Sequence, residues 1–340
     1  MSGSVKRILV VTGDHNLEDT SKPGGHYNPE DLEAHAVTVA AFRSLSGFDF
    51  DFCTDHSELL DGLRTSPPDL VVNFCDTGYR NKVAQELNLP AYLEMLDIPY
   101  TGAPPAAMVL CYDKAVVRMV ADSLGVPVPR ETYFPADADL ARMPDAWPAL
   151  IKPNAADGSL GITKDAVVRT RNEAVAYMTW LRKTLPGRDA LIQEYLPGTE
   201  YGIGIVGNPA AGFHVLPPLE VDYSGLPNGL NPILSYESKS LPDSPYWTEI
   251  KFRRTDLAPE TEARVVESCK KLFRRLSLRD YARFDFRTAV DGEPKLMEVN
   301  PNPAWEAGAK LAFMASFAGI DYPSMLKLIL EAAIDRVARR

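Results

Sequence analysis

The stretch Tyr281-Ala282-Arg283-Phe284-Asp285-Phe286-Arg287 alternates polar with apolar side chains, and so does Lys295-Leu296-Met297-Glu298-Val299-Asn300 shortly after it. A period of two marks strands with one wet face. Asp291-Gly292, between the two runs, is a strong signal for a two-residue hairpin turn. With that turn, Asp285 lies opposite Glu298 and Arg283 opposite Asn300. Leu296, Glu298 and Asn300 then share one face, Met297 and Val299 the other. Side chains directly opposite in an antiparallel pair stand ~4.5–5.5 Å apart, where two like charges repel. Two carboxylates and an amide carbonyl on one face therefore call for a cation, and hard oxygen donors suit Mg²⁺ or Mn²⁺. Arg283, on the same face, can hold a developing oxyanion or a phosphoryl group. Taken alone, the hairpin is also compatible with an exposed ribbon carrying an ordinary Arg–Glu ion pair.

The rest of the chain narrows the class. Its 340 residues include 36 basic and 46 acidic side chains, a net charge of −10. That length predicts two or three domains, each with a core of its own. The acidic balance argues against a nucleic-acid binder, which needs a basic footprint, but leaves room for a small anion held by local cations. The apolar run Ile8 to Val11, after Met1 to Arg7, is too short for a signal peptide. No window reaches the ~18 apolar residues of a membrane span. Cys53, Cys75, Cys111 and Cys269 have no CxxC or Cys/His spacing, so neither a disulfide framework nor a zinc site is indicated. The expectation is a cytoplasmic enzyme without nucleic-acid or membrane partners.

Upstream, Lys6 to Thr12 reads as a strand, followed by a long polar loop from Gly13 to Glu30. Asp31 to Leu45 reads as a helix whose face is Leu32, Ala36, Val39 and Phe42. A second strand, Asp69 to Phe74, a helix from Val83 to Leu96 and Ile98 to Gly102 complete a parallel α/β unit. No GxGxxG follows the first strand, which removes a Rossmann dehydrogenase. Further on, the pattern predicts a helix from Asp113 to Leu124 and strands at Ala149 to Lys152, near Ile162, and at Ala190 to Tyr195. Another strand is expected from Tyr201 to Val206, then an irregular stretch from Pro217 to Tyr246. Val265, Cys269, Leu272, Phe273 and Leu276 mark one face of an amphipathic helix. A terminal helix runs from about Tyr322 to Arg340.

Lys152 ends a strand and precedes the small-residue loop Asn154 to Gly161, whose backbone can approach an anion closely. Glu194 and Glu200 flank the end of the next strand. Judged singly, both could be solvated, and Lys114 and Lys239 could be surface lysines. The ordered set is more specific than its parts. Asp69 to Asn73, Ile98 to Gly102, Asp113-Lys114, Ile151 to Pro153, Gly198 to Glu200, Tyr236 to Lys239 and Glu298 to Pro303 follow one another along nearly the whole chain. This succession resembles the ATP-grasp superfamily, and within it the D-alanine–D-alanine ligase group.

The resemblance implies an α/β plus α+β architecture, an ATP-grasp fold with an N-terminal parallel-sheet domain and two α+β lobes clamping ATP. The expected divisions are 1–112, 113–196 and 197–340, the last carrying the metal and catalytic residues. Lys114, Lys152 and Lys239 would contact ATP phosphates, with Gly158 and Ser159 in the covering loop. Gln193, Glu194, Tyr195 and Leu196 would line the adenine site, and Glu200 would hold the ribose. Asp285, Glu298 and Asn300 would bind Mg²⁺ or Mn²⁺, while Arg283, with Lys239, would serve catalysis. The implied reaction forms an acyl phosphate from a carboxylate and passes the acyl group to an amine, with amino acids or similar acids as substrates. A homodimer is implied in the same way.

The departures fall where the group binds its amino acids. Ala34 stands at the position of a substrate-binding glutamate, with Glu33 one residue early. Asp76 replaces a strand-end histidine, Gly158 a serine and Ser240 a tyrosine. Beyond Pro303, Trp305, Glu306 and Lys310 occupy the segment that would cradle a second substrate. Lys310 could pair with a carboxylate and Trp305 wall the pocket, or both could belong to a plain helix start. The expected function is thus D-alanine–D-alanine ligase-like, with a different dipeptide or amide as one alternative and a non-catalytic nucleotide-binding protein as another.

Overall fold

The computed structural model describes residues 5–19, 22–156 and 158–339. Met1 to Ser4, Thr20 and Ser21 of the long polar loop, Asp157 of the small-residue loop and Arg340 lie outside the described residues. The chain opens with β1 (Arg7–Val11), α1 (Pro29–Arg43), β2 (Asp49–Cys53), α2 (Leu59–Thr65) and β3 (Leu70–Asn73). β2, β1 and β3 form a parallel sheet in that order. α1 begins in a capping box. Asn28 accepts from the Asp31 backbone N–H at 3.0 Å, and the Asp31 carboxylate accepts from that of Asn28 at 3.0 Å. Its buried residues are Thr38, Ala41 and Phe42, whereas Leu32 is 46% exposed. The expected apolar face holds only in the second half, because the first half stands off the sheet and borders a cavity. The expected helix over 83–96 divides into a single turn at Val83–Gln85 and α3 (Asn88–Met95).

α4 (Pro105–Tyr112) and α5 (Lys114–Ser123) follow, joined at Asp113, whose side chain caps α5 by accepting from the Val116 N–H at 2.9 Å. A second, antiparallel sheet runs β4-β7-β5-β6. Its strands are β4 (Glu131–Phe134), β5 (Ala149–Pro153), β6 (Val167–Val168) and β7 (Ala190–Glu194), with α6 (Arg171–Thr184) preceding β7. The strand expected near Ile162 begins five residues later, at Val167, because the chain first turns at Gly161, with φ +75°.

The third sheet comprises β8 (Glu200–Asn208), β9 (Gly212–Val215), β10 (Leu219–Asp222), β11 (Lys251–Arg254), β12 (Tyr281–Thr288) and β13 (Pro294–Asn300). Two one-turn helices, α7 (Glu237–Ser240) and α8 (Pro245–Thr248), and strand β10 interrupt the stretch expected to be irregular. α9 (Pro259–Arg275) buries Val265, Cys269, Leu272 and Phe273, and α10 (Lys310–Phe317) and α11 (Tyr322–Ala338) close the chain. Among the described residues no helix is long and apolar enough to cross a membrane.

The β12–β13 hairpin corrects the sequence reading in an informative way. Arg283 pairs with Asn300 and Asp285 with Glu298, as the pattern predicts, but beyond a bulge Phe286 pairs with Leu296 and Thr288 with Pro294. The turn is three residues long, not two. The Ala289 N–H donates to the Glu293 carbonyl at 2.9 Å, with Gly292 at φ +84°. The shift at the turn and the extra residue, Met297, cancel. Leu296 consequently enters the core with Val299, and Met297 joins Glu298 and Asn300 on the cleft face.

Candidate active site

The second and third sheets face each other across a cleft of about 380 Å³. β12 carries Arg283, Asp285 and Arg287 into it at alternate positions, while Phe284 and Phe286 anchor the opposite face in the core. β8 lies beside β12, pairing Gly202 with Asp285. A Cβ at Gly202 would stand 2.9 Å from Met314 Cε and 3.1 Å from Asp285 Oδ1. The glycine therefore lets α10 settle on the sheet and bring Lys310, its first residue, to the cleft.

Each of the paired carboxylates is matched by a cation of the chain. Arg283 donates to Asp285 through Nε at 2.8 and 3.2 Å and Nη2 at 3.0 Å. Burial would raise Asp285, yet the Arg283 guanidinium holds its carboxyl down at about 2. Asn300 Nδ2 donates to Asp285 Oδ2 at 3.1 Å. Lys114 Nζ, buried at the start of α5, lies 3.1 Å from Glu298 Oε1 and donates to the Ala156 carbonyl at 2.6 Å. Burial works against the ionised Glu298, but Lys114 carries its pKa below the usual value. Among the described residues no three His, Cys, Asp or Glu side chains converge. Two opposed carboxylates and one amide are nonetheless a donor set that fits Mg²⁺, which takes its remaining ligands from phosphate and water.

Three further cations line the same cleft. Lys152 is buried and donates to Gln193 Oε1 at 3.2 Å, and Gln193 Nε2 in turn donates to Glu131 Oε2 at 2.6 Å. Burial lowers the Lys152 pKa and raises that of Glu131. Lys239, on α7, is exposed as a residue, yet the cleft walls and then the Lys310 ammonium push it down to about 8. Burial lowers Lys310 as well. Glu200 accepts from Tyr223 Oη at 2.7 Å and from Arg287 Nη1 at 3.1 Å.

Gly158 and Ser159 also line the cleft, both at positive φ, and Ser159 Oγ donates to the Leu234 carbonyl at 2.9 Å. The strand-end quartet is placed differently. Gln193 lies under Lys152, Leu196 is buried, and Glu194 pairs with Arg130 at 2.9 Å and with Lys295 on the far side of the sheet. Tyr195 lies under the Arg287 guanidinium at 5.3 Å. Asp76 and Lys310 border the cleft, and Glu306 borders a second cavity next to it. Trp305 is core, 1% exposed and packed on Phe74 and Tyr281, and Glu33 lies on the exposed face of α1.

Sequence reasoning missed Arg287, although it continues the alternation Arg283, Asp285 by one step. It also missed Glu131, Tyr223 and the trio Glu86, Tyr112 and Asn302. Glu86 accepts from Tyr112 and, at 2.9 Å, from Asn302 Nδ2. Nothing local marks these residues, because only the tertiary fold brings Glu86, Tyr112 and Asn302 to the cleft and sets Glu131 and Tyr223 against Gln193 and Glu200.

A cation-lined cleft between two antiparallel sheets, with an opposed carboxylate pair at its floor, defines an ATP-grasp enzyme of the carboxylate–amine ligase class. The model for the D-ala D-ala ligase C-terminus family matches residues 139–331, more than half of the chain, and the chain belongs to that family. It is 27% identical to the D-alanine–D-alanine ligase of Aquifex aeolicus over 326 residues, covering 95% of this chain and 99% of that one. An uncharacterized protein of Sinorhizobium fredii, y4sG, is 28% identical over 310 residues, covering 88% and 87%. In fold, the crystal structure of the Bacillus anthracis D-alanine–D-alanine ligase complexed with ATP superposes with a TM-score of 0.71 at 20% identity, covering 98% and 99% of the two chains.

Proposed function

We propose that the protein is an ATP- and Mg²⁺-dependent ligase that joins an amino acid, or an acid resembling one, to an amine. In the proposed reaction the acid's carboxylate attacks the γ-phosphorus and ADP leaves. The amine then attacks the acyl phosphate and phosphate leaves. The observation that carries this reading is the convergence of Asp285, Glu298 and Asn300 with Lys114, Lys152, Lys239, Arg283 and Lys310 on one cleft. Asp285, Glu298 and Asn300 would hold the metal, which when bound neutralises phosphoryl charge. Lys114, Lys152 and Lys239 would grip phosphate oxygens. Glu200, oriented by Tyr223 and Arg287, would accept ribose hydroxyls. Arg283 would face the oxyanion of the tetrahedral intermediate. The lobes would close over the site and keep water from the acyl phosphate. This reading divides the chain into a substrate domain over 1–112 and two nucleotide-clamping lobes over 113–196 and 197–340, working in the cytoplasm.

A different product from D-alanyl-D-alanine is favoured by the residues at the substrate end, where Asp76 stands at the cleft and Ala34 and Glu306 border the adjoining cavity. The test is phosphate release from Mg-ATP with separate pools of D- and L-amino acids, followed by mass spectrometry of the products. Stimulated release with a condensed product supports the ligase. Tight ATP binding with no stimulation by any pool would leave a nucleotide-binding protein instead.

A further inference from the structure

A second cavity, of about 320 Å³, adjoins the cleft, and Asp76 lines both. It lies between the loop after β1, the first half of α1 and the end of β3. That volume is at the lower end of small-molecule sites and far larger than a methyl group needs. His15, Lys22, Tyr27, Asp31, His35 and Thr38 bring polar groups to its walls, beside the apolar surface of Phe74 and Ala34. Gly13 shapes the wall, since a Cβ there would run into Tyr27 Oη. Ala34, the smallest side chain on the α1 side, leaves the space open.

The charges sort into two groups. Lys22 and Asp31 neutralise each other at 3.0 Å. His15 and His35 meet edge to face with centroids 4.7 Å apart, and burial lowers both pKa values, so near neutrality they are uncharged hydrogen-bonding groups. Tyr27 meets His15 with the rings tilted and their centroids 4.5 Å apart, and burial keeps its hydroxyl protonated. Asp76 and Glu306 remain as surplus negative charge. Burial and then the Glu306 carboxylate push Asp76 up to about 7, against the opposing pull of Lys22. A cation at that point would let both carboxylates ionise. A phosphate would be repelled there, and an apolar occupant would strip hydrogen bonds from the walls.

We propose that this cavity is the specificity pocket of the enzyme and takes a polar α-amino acid larger than alanine. Its ammonium lies between Asp76 and Glu306, and its side chain bonds to the hydroxyl and imidazole groups inside. The proposal rests on the ligase reading above and names its substrate class. Its specificity residues are Ala34, Thr38, Asp76 and Glu306.

The test measures, by calorimetry, the binding of D- and L-serine, threonine, asparagine and glutamine to the full chain loaded with Mg²⁺ and a non-hydrolysable ATP analogue. Alanine, valine and leucine are compared with them, and ADP release from ATP is followed with the same panel. The polar amino acids should bind about tenfold or more tightly than alanine, because the site's polar groups are left unpaired otherwise. Ala34→Phe, which fills the cavity, should abolish that preference without changing affinity for the nucleotide analogue. Asp76→Asn should weaken every amino acid, and it decides the matter if Ala34→Phe fails to fold. Polar amino acids that bind and are lost in the variants, yet release no ADP, would sustain the pocket and overturn the ligase reading. Ligation that prefers alanine and is indifferent to Ala34→Phe would sustain the ligase and overturn the pocket. Failure of the whole panel to bind would also overturn the pocket.

Discussion

Glu298 faces Lys114 and Asp285 faces Arg283, so each carboxylate of the pair stays ionised although the cleft withdraws water from it. The chain thus keeps these oxygen donors charged, as the proposed metal site requires. Glu298→Gln should cut ADP formation by about 10²–10³-fold, the usual loss when one preorganised charge contact goes. Steady-state turnover beside an unchanged thermal midpoint would verify this, and near-normal turnover would remove Glu298 from the proposed metal site. Lys239 offers a pH signature. Desolvation by the cleft walls, with Lys310 next, lowers it to about 8, so its charge is present below that pH and is lost above it. Accordingly kcat/KM for ATP should fall above about pH 8, and Lys239→Arg should carry the plateau upward. A profile flat to pH 9.5 in the wild type would show that Lys239 does not meet the nucleotide. At this scale the sequence was legible for Arg283, Asp285, Glu298 and Asn300, whose spacing repeats every second residue. It was opaque for Glu131 and Tyr223, which the folded chain sets against Gln193 and Glu200.

At the scale of elements, the β12–β13 hairpin shows how a register is corrected from within. Its three-residue turn alone would rotate Glu298 out of the cleft, and the Met297 bulge returns it. Deleting Met297 should therefore leave a regular ladder, with Glu298 and Asn300 still facing the cleft and Leu296 and Val299 still in the core. ATP turnover should persist in that variant, whereas one residue inserted between Leu296 and Met297 should turn the pair away and abolish it. A folded deletion variant without activity would show that the bulge itself, and not only the facing of the two side chains, is required. The alternation of hydrophobic residues announces the strands, but a bulge has no such mark. Its position follows from which residues the underlying helices α5 and α9 accept beneath the sheet.

Across the whole molecule, the first and last segments share a core. Ile8, Val10, Phe42, Val72 and Phe74 pack with Tyr281, Trp305, Leu311, Met314 and Leu326. A buried knot reinforces the union. Arg336 donates to both oxygens of Asp280 at 2.8 Å, and Gly102 N and Asn208 Nδ2 add bonds at 2.9 Å each. Asp280→Ala should cost about 3–5 kcal/mol, because it strands a largely buried guanidinium. Denaturant unfolding measures that loss, and a change below 1 kcal/mol, the scale of an exposed pair, would show that the knot is not structural. The second sheet packs around Ile151, Val168, Met178, Leu181 and Ile192, and Val221, Ile233, Tyr246 and Ile250 from later in the chain join that cluster. Closure of the proposed lobes over ATP would act across this seam. A bound ATP analogue should slow amide exchange in β5, β7 and the 154–161 loop more than in β1 and β3. Equal protection of both regions would argue against lobe closure.

By itself the sequence determined the family of fold and the alternation that gathers the proposed site residues on one face. Strand alternation places Arg283, Asp285, Glu298 and Asn300, and helix periodicity places the α9 core. These are local signals, because the backbone repeats itself every two or 3.6 residues. The tertiary structure decided the rest. It sent Trp305 into the core, turned Glu194 away from the cleft, brought Arg287 to Glu200 and joined Asp76 to Glu306 across a cavity. None of those contacts has a period, because each depends on how segments far apart in the chain come together rather than on the spacing of residues along any one of them.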